Sequence, residues 1–129
     1  VTQGATTTPE YLSAYQEIDG ELLLDGSLNH YAYGAPAKWL YTHVLGIQSD
    51  EEHPGFKHFY IRPEVTGKWT YAKGAYESMY GRIEVSWEQQ EDGYQYHIVI
   101  PANTTATVEL EGMECMELGS GTYEFEIKN

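Results

Sequence analysis

Cysteine and basic residues are scarce in this sequence. Cys115 is the single cysteine, which excludes an intramolecular disulfide and a cysteine-based zinc cluster. Seven lysines and arginines stand against twenty aspartates and glutamates, for a formal charge of −13. A surface of that charge repels phosphate backbones and anionic lipid, so binding to nucleic acid or to a membrane surface is disfavoured. A neutral partner such as a glycan stays open.

The sequence also lacks long apolar runs and familiar catalytic signatures. No stretch approaches the roughly 20 apolar residues that span a bilayer. There is no G-x-S-x-G, no Gly-rich phosphate loop, no H-E-x-x-H and no C-x-x-C. The histidines stand at no spacing expected of a metal site; they are His30, His43, His53, His58 and His97. We therefore predict that no metal or cofactor takes part in the chemistry.

Tyrosine and tryptophan are abundant instead. Twelve tyrosines and three tryptophans in 129 residues favour β-structure. They also suit surfaces that meet carbohydrate, because flat amphipathic rings stack on sugar faces, although half-buried strand positions explain any single tyrosine more simply. The length is that of one domain with its own core. Because the sequence starts at Val1 rather than at a methionine, we expect a longer parent chain, and the compartment stays open.

Two stretches before residue 50 predict helices. Pro9 and Glu10 after Thr8 are typical of a first helical turn and predict a short helix that includes Tyr15 and Ile18. Residues 27–47 predict a longer, buried helix around which the rest of the chain is arranged, with Pro36 in its first turn and Gly46 as its stop. Its apolar face recurs at steps of three and four, at Trp39, Leu40, Val44 and Ile47.

The second half of the chain alternates with period two. Residues 82–89 are the clearest case, with Ile83, Val85 and Trp87 in one row. Gly74 predicts a bulge or bend in the strand that contains it. Six or seven short strands predict a mainly β domain, an antiparallel β-sandwich of jelly-roll-like type, after the helices.

Glu10 and His30 are the candidate functional residues. A carboxylate at the first turn of a helix can act as a general base, and a histidine near it in space can bind a sugar hydroxyl. The alternatives are a glutamate that stabilises a helix start and a histidine in a core or an interface. Spacing alone favours these structural alternatives.

Short motifs follow one another along the whole chain. The first group is residues 4–7 (GATT) followed by Glu10, residues 27–34 (SLNHYAYG), 39–41 (WLY) and 46–47 (GI). The second group is residues 54–58 (PGFKH), 61–63 (IRP), 71–73 (YAK), 76–78 (YES), 80–81 (YG) and 100–106 (IPANTTA). Together they resemble the bacterial α-L-rhamnosidases of glycoside hydrolase family 78. The first group resembles the end of that family's catalytic domain, and the second its C-terminal β-sandwich.

The resemblance implies a parent with an (α/α)6 catalytic barrel that inverts configuration at the anomeric carbon of a terminal L-rhamnose. It also implies that Glu10 is the general base and that His30 contacts the bound rhamnose. Inversion needs an acid and a base carboxylate roughly 6.5–9.5 Å apart. The family's general acid lies in an upstream motif that none of these 129 residues matches. Thr8 and Pro9 stand where the family usually carries an apolar residue and a tryptophan.

We therefore predict two parts. Residues 1–51 would be one or two helices left from a truncated (α/α)6 barrel, and residues 52–129 a complete C-terminal β-sandwich. The parent would hydrolyse terminal α-L-rhamnosyl linkages in glycans, whereas this chain alone is expected to be inactive. Helices without their barrel neighbours expose apolar surface unless they pack on the sandwich or on another chain, so a homo-oligomer stays open.

Two other interpretations remain. A free-standing carbohydrate-binding or purely structural β-sandwich module is the first, and a hydrolase for a different sugar on the same scaffold is the second. An exposed row made from Tyr71, Tyr76, Tyr80 or Tyr94 would favour glycan binding, whereas buried rings would favour bracing of a neighbouring domain.

Overall fold

The computed structural model describes residues 15–24, 26–27, 29–66 and 68–128, and it describes the side chains in these ranges except at residues 15–17, 22–24 and 33. The chain divides into two compact units at the link between Lys38 and Trp39. Strands make up most of the regular structure, and short helical turns precede the sandwich strands. The mainly β fold class is confirmed.

The first unit contains a β-hairpin where the sequence predicted a short helix. Strand β1 (Tyr15–Ile18) pairs antiparallel with β2 (Glu21–Leu24). Asp19 and Gly20 join the strands with φ angles of 54° and 81°, and two positive φ values match the twist of a tight hairpin. The helix prediction is therefore wrong at Tyr15 and Ile18, while its earlier residues lie outside the described part of the chain.

Residues 31–44 form three short helical turns instead of one long helix. A 3-10 turn (Tyr31–Tyr33) is followed by α1 (Ala35–Trp39) and by a π-helical turn (Leu40–Val44). Pro36 lies in the first turn of α1, as predicted. In the π-helical turn, the Leu45 N–H donates to the Leu40 carbonyl at 3.0 Å.

The apolar face predicted for this stretch is split by the change of helix type. Val44 and Ile47 are buried, but Trp39 and Leu40 are exposed. Gly46 ends the helical stretch with a φ of 75°, as predicted, and Ile47 already belongs to a strand. The spacing of apolar residues continues past the helical stretch into a strand, which begins at Ile47. The helical stretch is therefore shorter and less buried than that spacing predicted.

The second unit contains a β-sandwich. Its strands are β3 (Ile47–Ser49), β4 (His58–Ile61), β5 (Tyr71–Ser78), β6 (Gly81–Gln90), β7 (Gly93–Ile100), β8 (Thr105–Val108), β9 (Met116–Leu118) and β10 (Gly121–Lys128). One four-stranded sheet has the order β10-β7-β6-β5 and the other the order β3-β4-β8-β9. Both sheets supply one face to a common core.

The strand pairing is antiparallel with one exception. Strands β4 and β8 pair in parallel, with His58 opposite Thr105. Between them the chain builds β5, β6 and β7 in the other sheet, which is the long crossover that a parallel pair needs. The predicted antiparallel β-sandwich is confirmed, and β4–β8 is the one parallel pair among the sandwich pairings described.

The core is built by the predicted alternation. Ile83, Val85 and Trp87 of β6 are all buried. Trp87 also donates its indole N–H to the Val44 carbonyl at 2.8 Å, which ties the π-helical turn to the sheet. Burial of Tyr96 on β7 raises the pKa of its hydroxyl to about 12.

Gly74 forms no bulge, in contrast to the prediction. The β5–β6 register is continuous across Gly74, which lies opposite Val85. A Cβ at residue 74 would lie 2.4 Å from Leu45 Cδ1, so the missing side chain leaves room for Leu45. Residues 39–49 accordingly lie in the same compact unit as the sandwich.

Candidate functional site

His30 is the one predicted site residue within the described part of the chain. It stands just before the 3-10 turn, is half-buried, and stacks on Tyr31 with ring centroids 5.7 Å apart and an interplanar angle of 4°. Tyr31 itself is exposed. Glu10 lies outside the described residues, so the pairing of Glu10 with His30 stays a prediction.

A groove of about 420 Å³ lies in the second unit, beside the start of β5. One wall is the π-helical turn, with Leu40 and Tyr41 at its rim and Val44 and Leu45 below. The other wall is formed by residues 68–74. Its volume falls within the range of about 300–1,000 Å³ that small-molecule sites occupy.

Hydrogen bonds to backbone carbonyls hold both walls of the groove in place. The Tyr41 hydroxyl donates to the Ala75 carbonyl at 3.2 Å, across to the edge strand β5. The Trp69 N–H donates to the Thr66 carbonyl at 3.1 Å, and the Gln89 N–H donates to the Thr70 carbonyl at 2.8 Å. The side chain of Tyr41 and the backbone that carries Trp69 are therefore both held by hydrogen bonds.

The lining of the groove combines aromatic rings at the rim with positive charge. Tyr71 is 67% exposed and Trp69 is 44% exposed, and both present flat apolar rings at the rim. Lys68 and Lys73 supply positive charge. Among the described residues that line the groove there is neither a carboxylate nor an imidazole, the usual general acids and bases.

The four tyrosines singled out in the sequence do not form one row. Tyr71 faces outward opposite Glu88, while Tyr76 faces the other side of β5 because it lies five positions further along the strand, an odd step. Tyr80 lies in the β5–β6 turn, and Tyr94 is half-buried and edge-on to Trp87 at 6.3 Å. Three of the four rings are exposed, and the ring of Tyr94 is half-buried.

Sequence reasoning missed the part that Trp69, Leu40 and Tyr41 play in the groove. Leu40 was expected on the buried face of a helix, but the π-helical turn leaves it exposed. The sequence feature that could have indicated the groove is residues 68–71 (KWTY), in which Trp69 and Tyr71 are two positions apart at the start of the edge strand β5.

A polar cluster lies at the other sheet. Asp50 Oδ2 is 2.7 Å from His53 Nδ1, and the Glu52 N–H donates to Asp50 Oδ1 at 3.0 Å. The hydrogen bond with His53 is the main cause that lowers the pKa of the Asp50 carboxyl. On β4, His58 Nδ1 lies 2.7 Å from Thr105 Oγ1.

Neither a metal site nor a membrane-spanning helix is found in the part of the chain that the structure describes. Within residues 15–24, 26–27, 29–66 and 68–128, no group of three or more histidine, cysteine or acidic side chains could hold a metal ion. No helix within these ranges is long and apolar enough to cross a bilayer.

Residues 46–123 match the family described as the bacterial α-L-rhamnosidase C-terminal domain. The chain is 37% identical over 107 residues to an α-L-rhamnosidase of Alteromonas sp. (strain LOR) and 35% identical over 111 residues to one of Formosa agariphila. These matches cover 82% and 85% of this chain, but 11% and 12% of the relatives.

Solved structures agree with the sequence relatives. The Streptomyces avermitilis α-L-rhamnosidase complexed with L-rhamnose matches with a TM-score of 0.68 and 28% identity, over 95% of this chain and 14% of that one. The α-L-rhamnosidase of Aspergillus terreus matches with a TM-score of 0.69 and 28% identity, over 98% and 15%. The chain thus spans about an eighth of the length of the relatives it resembles, and it belongs to the family of bacterial α-L-rhamnosidase C-terminal domains.

Proposed function

We propose that this chain is the end of an inverting α-L-rhamnosidase whose C-terminal β-sandwich braces the catalytic domain. The observation that carries the proposal is the match of residues 46–123 to the rhamnosidase C-terminal domain family. Because the chain corresponds to only 11–14% of its curated relatives, most of the catalytic machinery would lie in the rest of the parent. In this proposal residues 1–51 contain the end of the barrel and residues 52–129 contain the sandwich domain except for its first strand, β3 (Ile47–Ser49), which precedes that boundary.

Glu10 and His30 would be this chain's contribution to the reaction. The Glu10 carboxylate would remove a proton from the water that attacks the anomeric carbon, while a carboxylic acid elsewhere in the parent protonates the leaving oxygen. The His30 imidazole would hydrogen-bond a hydroxyl of the terminal L-rhamnose. Both proton transfers are needed, so the chain alone should not hydrolyse the substrate. No metal or cofactor enters this scheme.

The test uses p-nitrophenyl α-L-rhamnopyranoside. We expect no nitrophenol release by the purified 129-residue chain, and release by the parent with β-L-rhamnose as the first anomer seen by proton NMR. Glu10→Gln in the parent should lower kcat by about 10²–10⁴-fold, the usual contribution of one acid–base group. His30→Ala should chiefly raise KM.

Glu88→Gln is the control, since Glu88 is an exposed carboxylate on β6. Release of nitrophenol by the chain alone would contradict the proposed inactivity, and α-L-rhamnose as the first product would contradict inversion. Unchanged kcat in Glu10→Gln would remove the role proposed for Glu10.

A second candidate function is carbohydrate binding by the sandwich itself. The exposed rings of Trp69 and Tyr71 at the rim of the 420 Å³ groove favour it, because such rings stack on sugar faces. Titration of the chain with rhamnosyl oligosaccharides, followed by indole fluorescence, tests it. A saturable change that Trp69→Phe or Tyr71→Ala weakens would support binding, whereas no change would leave bracing as the function.

A further inference from the structure

The exposed apolar side chains of the second unit are concentrated at one edge of the sandwich, along β5. Nine large hydrophobic side chains are exposed among the residues described in this unit, and all except Met113 belong to β5, to the turns that flank it or to residues 39–41, which contribute to the groove beside it. They are residues 39–41, Trp69 with Tyr71, and Tyr76 with the turn residues Met79 and Tyr80. We call this surface the β5 band. Exposed apolar surface gathered in this way marks an interaction site, while scattered single residues do not.

Ring contacts make the β5 band continuous. Leu40, Tyr41, Trp69 and Tyr71 line one groove. The ring of Tyr41 lies edge-on to Tyr76, with centroids 6.5 Å apart. Tyr76 in turn packs on Phe56, with centroids 4.6 Å apart. The band therefore runs from the groove along β5 toward the β5–β6 turn.

Positive charge borders the β5 band. Lys68 and Lys73 line its groove, and Lys57 Nζ stands 5.2 Å from the ring centre of Tyr80. These are three of the seven basic residues in a chain of formal charge −13. Exposed Glu77 and Glu88 also flank the band, so a complementary surface would present apolar side chains and place its carboxylates opposite the three lysines.

The two edges of the same sheet differ in a way that points to a partner at β5. Strand β10, at the opposite edge, alternates exposed Thr122, Glu124, Glu126 and Lys128 with its inward residues. Exposed charges of this kind keep a free edge from pairing with other chains. Strand β5 shows two aromatic rings to solvent, Tyr71 and Tyr76, besides the charged side chains of Lys73 and Glu77. The β5 edge thus exposes aromatic surface, which is absent from the exposed positions of β10.

We propose that the β5 band is the surface on which the catalytic part of the parent α-L-rhamnosidase docks. This inference rests on the proposed function, and it names the partner and the residues of the bracing contact. The relatives carry roughly eight times as much chain as is seen here, and the band starts at Trp39, where the chain enters the second unit. The partner is therefore expected close to this end of the sandwich and on the same polypeptide.

Amide hydrogen exchange tests the proposal by comparing the parent with the 129-residue chain. We expect the amides of residues 39–41 and 71–76 to exchange at least about tenfold more slowly in the parent, because docking suppresses local opening of an edge strand. Strand β10 (Gly121–Lys128) is the internal control, and its exchange should be the same in both. Equal exchange of β5 in the two proteins would overturn the proposal.

A pair of substitutions separates docking from folding. Tyr71→Asp puts a charge into the β5 band at an exposed position, and Met113→Asp does the same outside it. Both should leave the melting temperature of the 129-residue chain nearly unchanged. In the parent, Tyr71→Asp should abolish the slower exchange of β5 and Met113→Asp should not. Retained protection in parent Tyr71→Asp would overturn the proposal.

Two further measurements keep this proposal distinct from the others. Parent Glu10→Gln should lose rhamnosidase activity but keep the slow exchange of β5. The exchange measurement therefore tests docking even if the role proposed for Glu10 is wrong. Light scattering of the 129-residue chain tests a second copy as the occupant. A stable dimer that protects β5, with an unprotected β5 in the parent, would assign the β5 band to self-association instead.

Discussion

Leu45 occupies the space above Gly74 in the edge strand β5. Leu45 is buried at the end of the π-helical turn, and a Cβ on residue 74 would lie 2.4 Å from its Cδ1 atom. The contact joins the helical turn to the sheet without interrupting the β5–β6 register. It also sets one wall of the groove beside the other, since both residues line that groove.

Gly74→Ala should destabilise the chain by about 1–3 kcal/mol, the usual cost of overpacking a core. The added methyl group must displace the buried Leu45 side chain, because a Cβ there would lie 2.4 Å from its Cδ1 atom. Urea unfolding measures the change, with Gly119→Ala as the matched control because no atom lies within 4 Å of a Cβ there. Equal stability of the two variants would contradict the packing of Leu45 on Gly74.

Trp87→Phe should cost more stability than its small loss of volume indicates. The buried indole N–H donates to the Val44 carbonyl at 2.8 Å, and phenylalanine leaves that carbonyl without its donor. An unsatisfied buried acceptor costs about 1–3 kcal/mol. Trp69→Phe is the control, because Trp69 is exposed and should change unfolding in urea by less than about 0.5 kcal/mol.

The strands of the sandwich were predictable because each buries one face. Ile83, Val85 and Trp87 alternate with polar residues in β6, and only one register puts all three in the core. The parallel pairing of β4 with β8 was not predictable, since it depends on where the chain returns after building the other sheet. The sequence of a short strand does not indicate whether the neighbouring strand runs parallel or antiparallel to it.

Local patterns misled where two signals competed. Tyr15 and Ile18 have helical spacing, but Asp19-Gly20 is a strong hairpin signal and governs the structure. Gly74 shows the same limit for a single residue, because a glycine in a strand indicates either a bulge or a close approach. Only the position of Leu45 decides between the two. Likewise, the groove depends on a π-helical turn, and no periodicity in the sequence predicts that turn.

The stability of the chain should fall in acid partly through Asp50. The hydrogen bond with His53, followed by that from the Glu52 N–H, lowers the pKa of Asp50 in the folded state. A lowered folded pKa means that the carboxylate contributes stability above its unfolded pKa of about 3.9, and that this contribution is lost as pH falls through the folded pKa.

Asp50→Asn should therefore reduce the difference in unfolding free energy between pH 6 and pH 2.5. Urea unfolding at a series of pH values measures it. Asp92→Asn is the control, since Asp92 is exposed in the β6–β7 turn. His53→Ala should flatten the curve in the same direction because it removes the main partner. A pH profile unchanged in both Asp50→Asn and His53→Ala would contradict this assignment.

Gly46→Ala should be the most damaging small substitution considered. Gly46 has a φ of 75°, which already costs a residue with a Cβ roughly 1–2 kcal/mol. A Cβ there would also lie 2.2 Å from the Pro63 nitrogen and 2.3 Å from the Arg62 carbonyl carbon, and neither backbone atom can rotate away as a side chain would. The Arg62 N–H donates to the Gly46 carbonyl at 3.0 Å, so relief of the clash breaks this contact next to the β3–β4 pair.

Gly55→Ala isolates the backbone strain from the clash. Gly55 has a φ of 82°, but the nearest atom to its Cβ would be Met79 Sδ at 3.7 Å, an ordinary contact. We expect Gly55→Ala to lower stability by about 1–2 kcal/mol and Gly46→Ala to lower it by more than about 3 kcal/mol, or to prevent folding. Circular dichroism melting compares them. Equal melting temperatures would show that the backbone at Arg62 and Pro63 can yield, and hence that the end of the helical turn is not fixed against the β3–β4 pair.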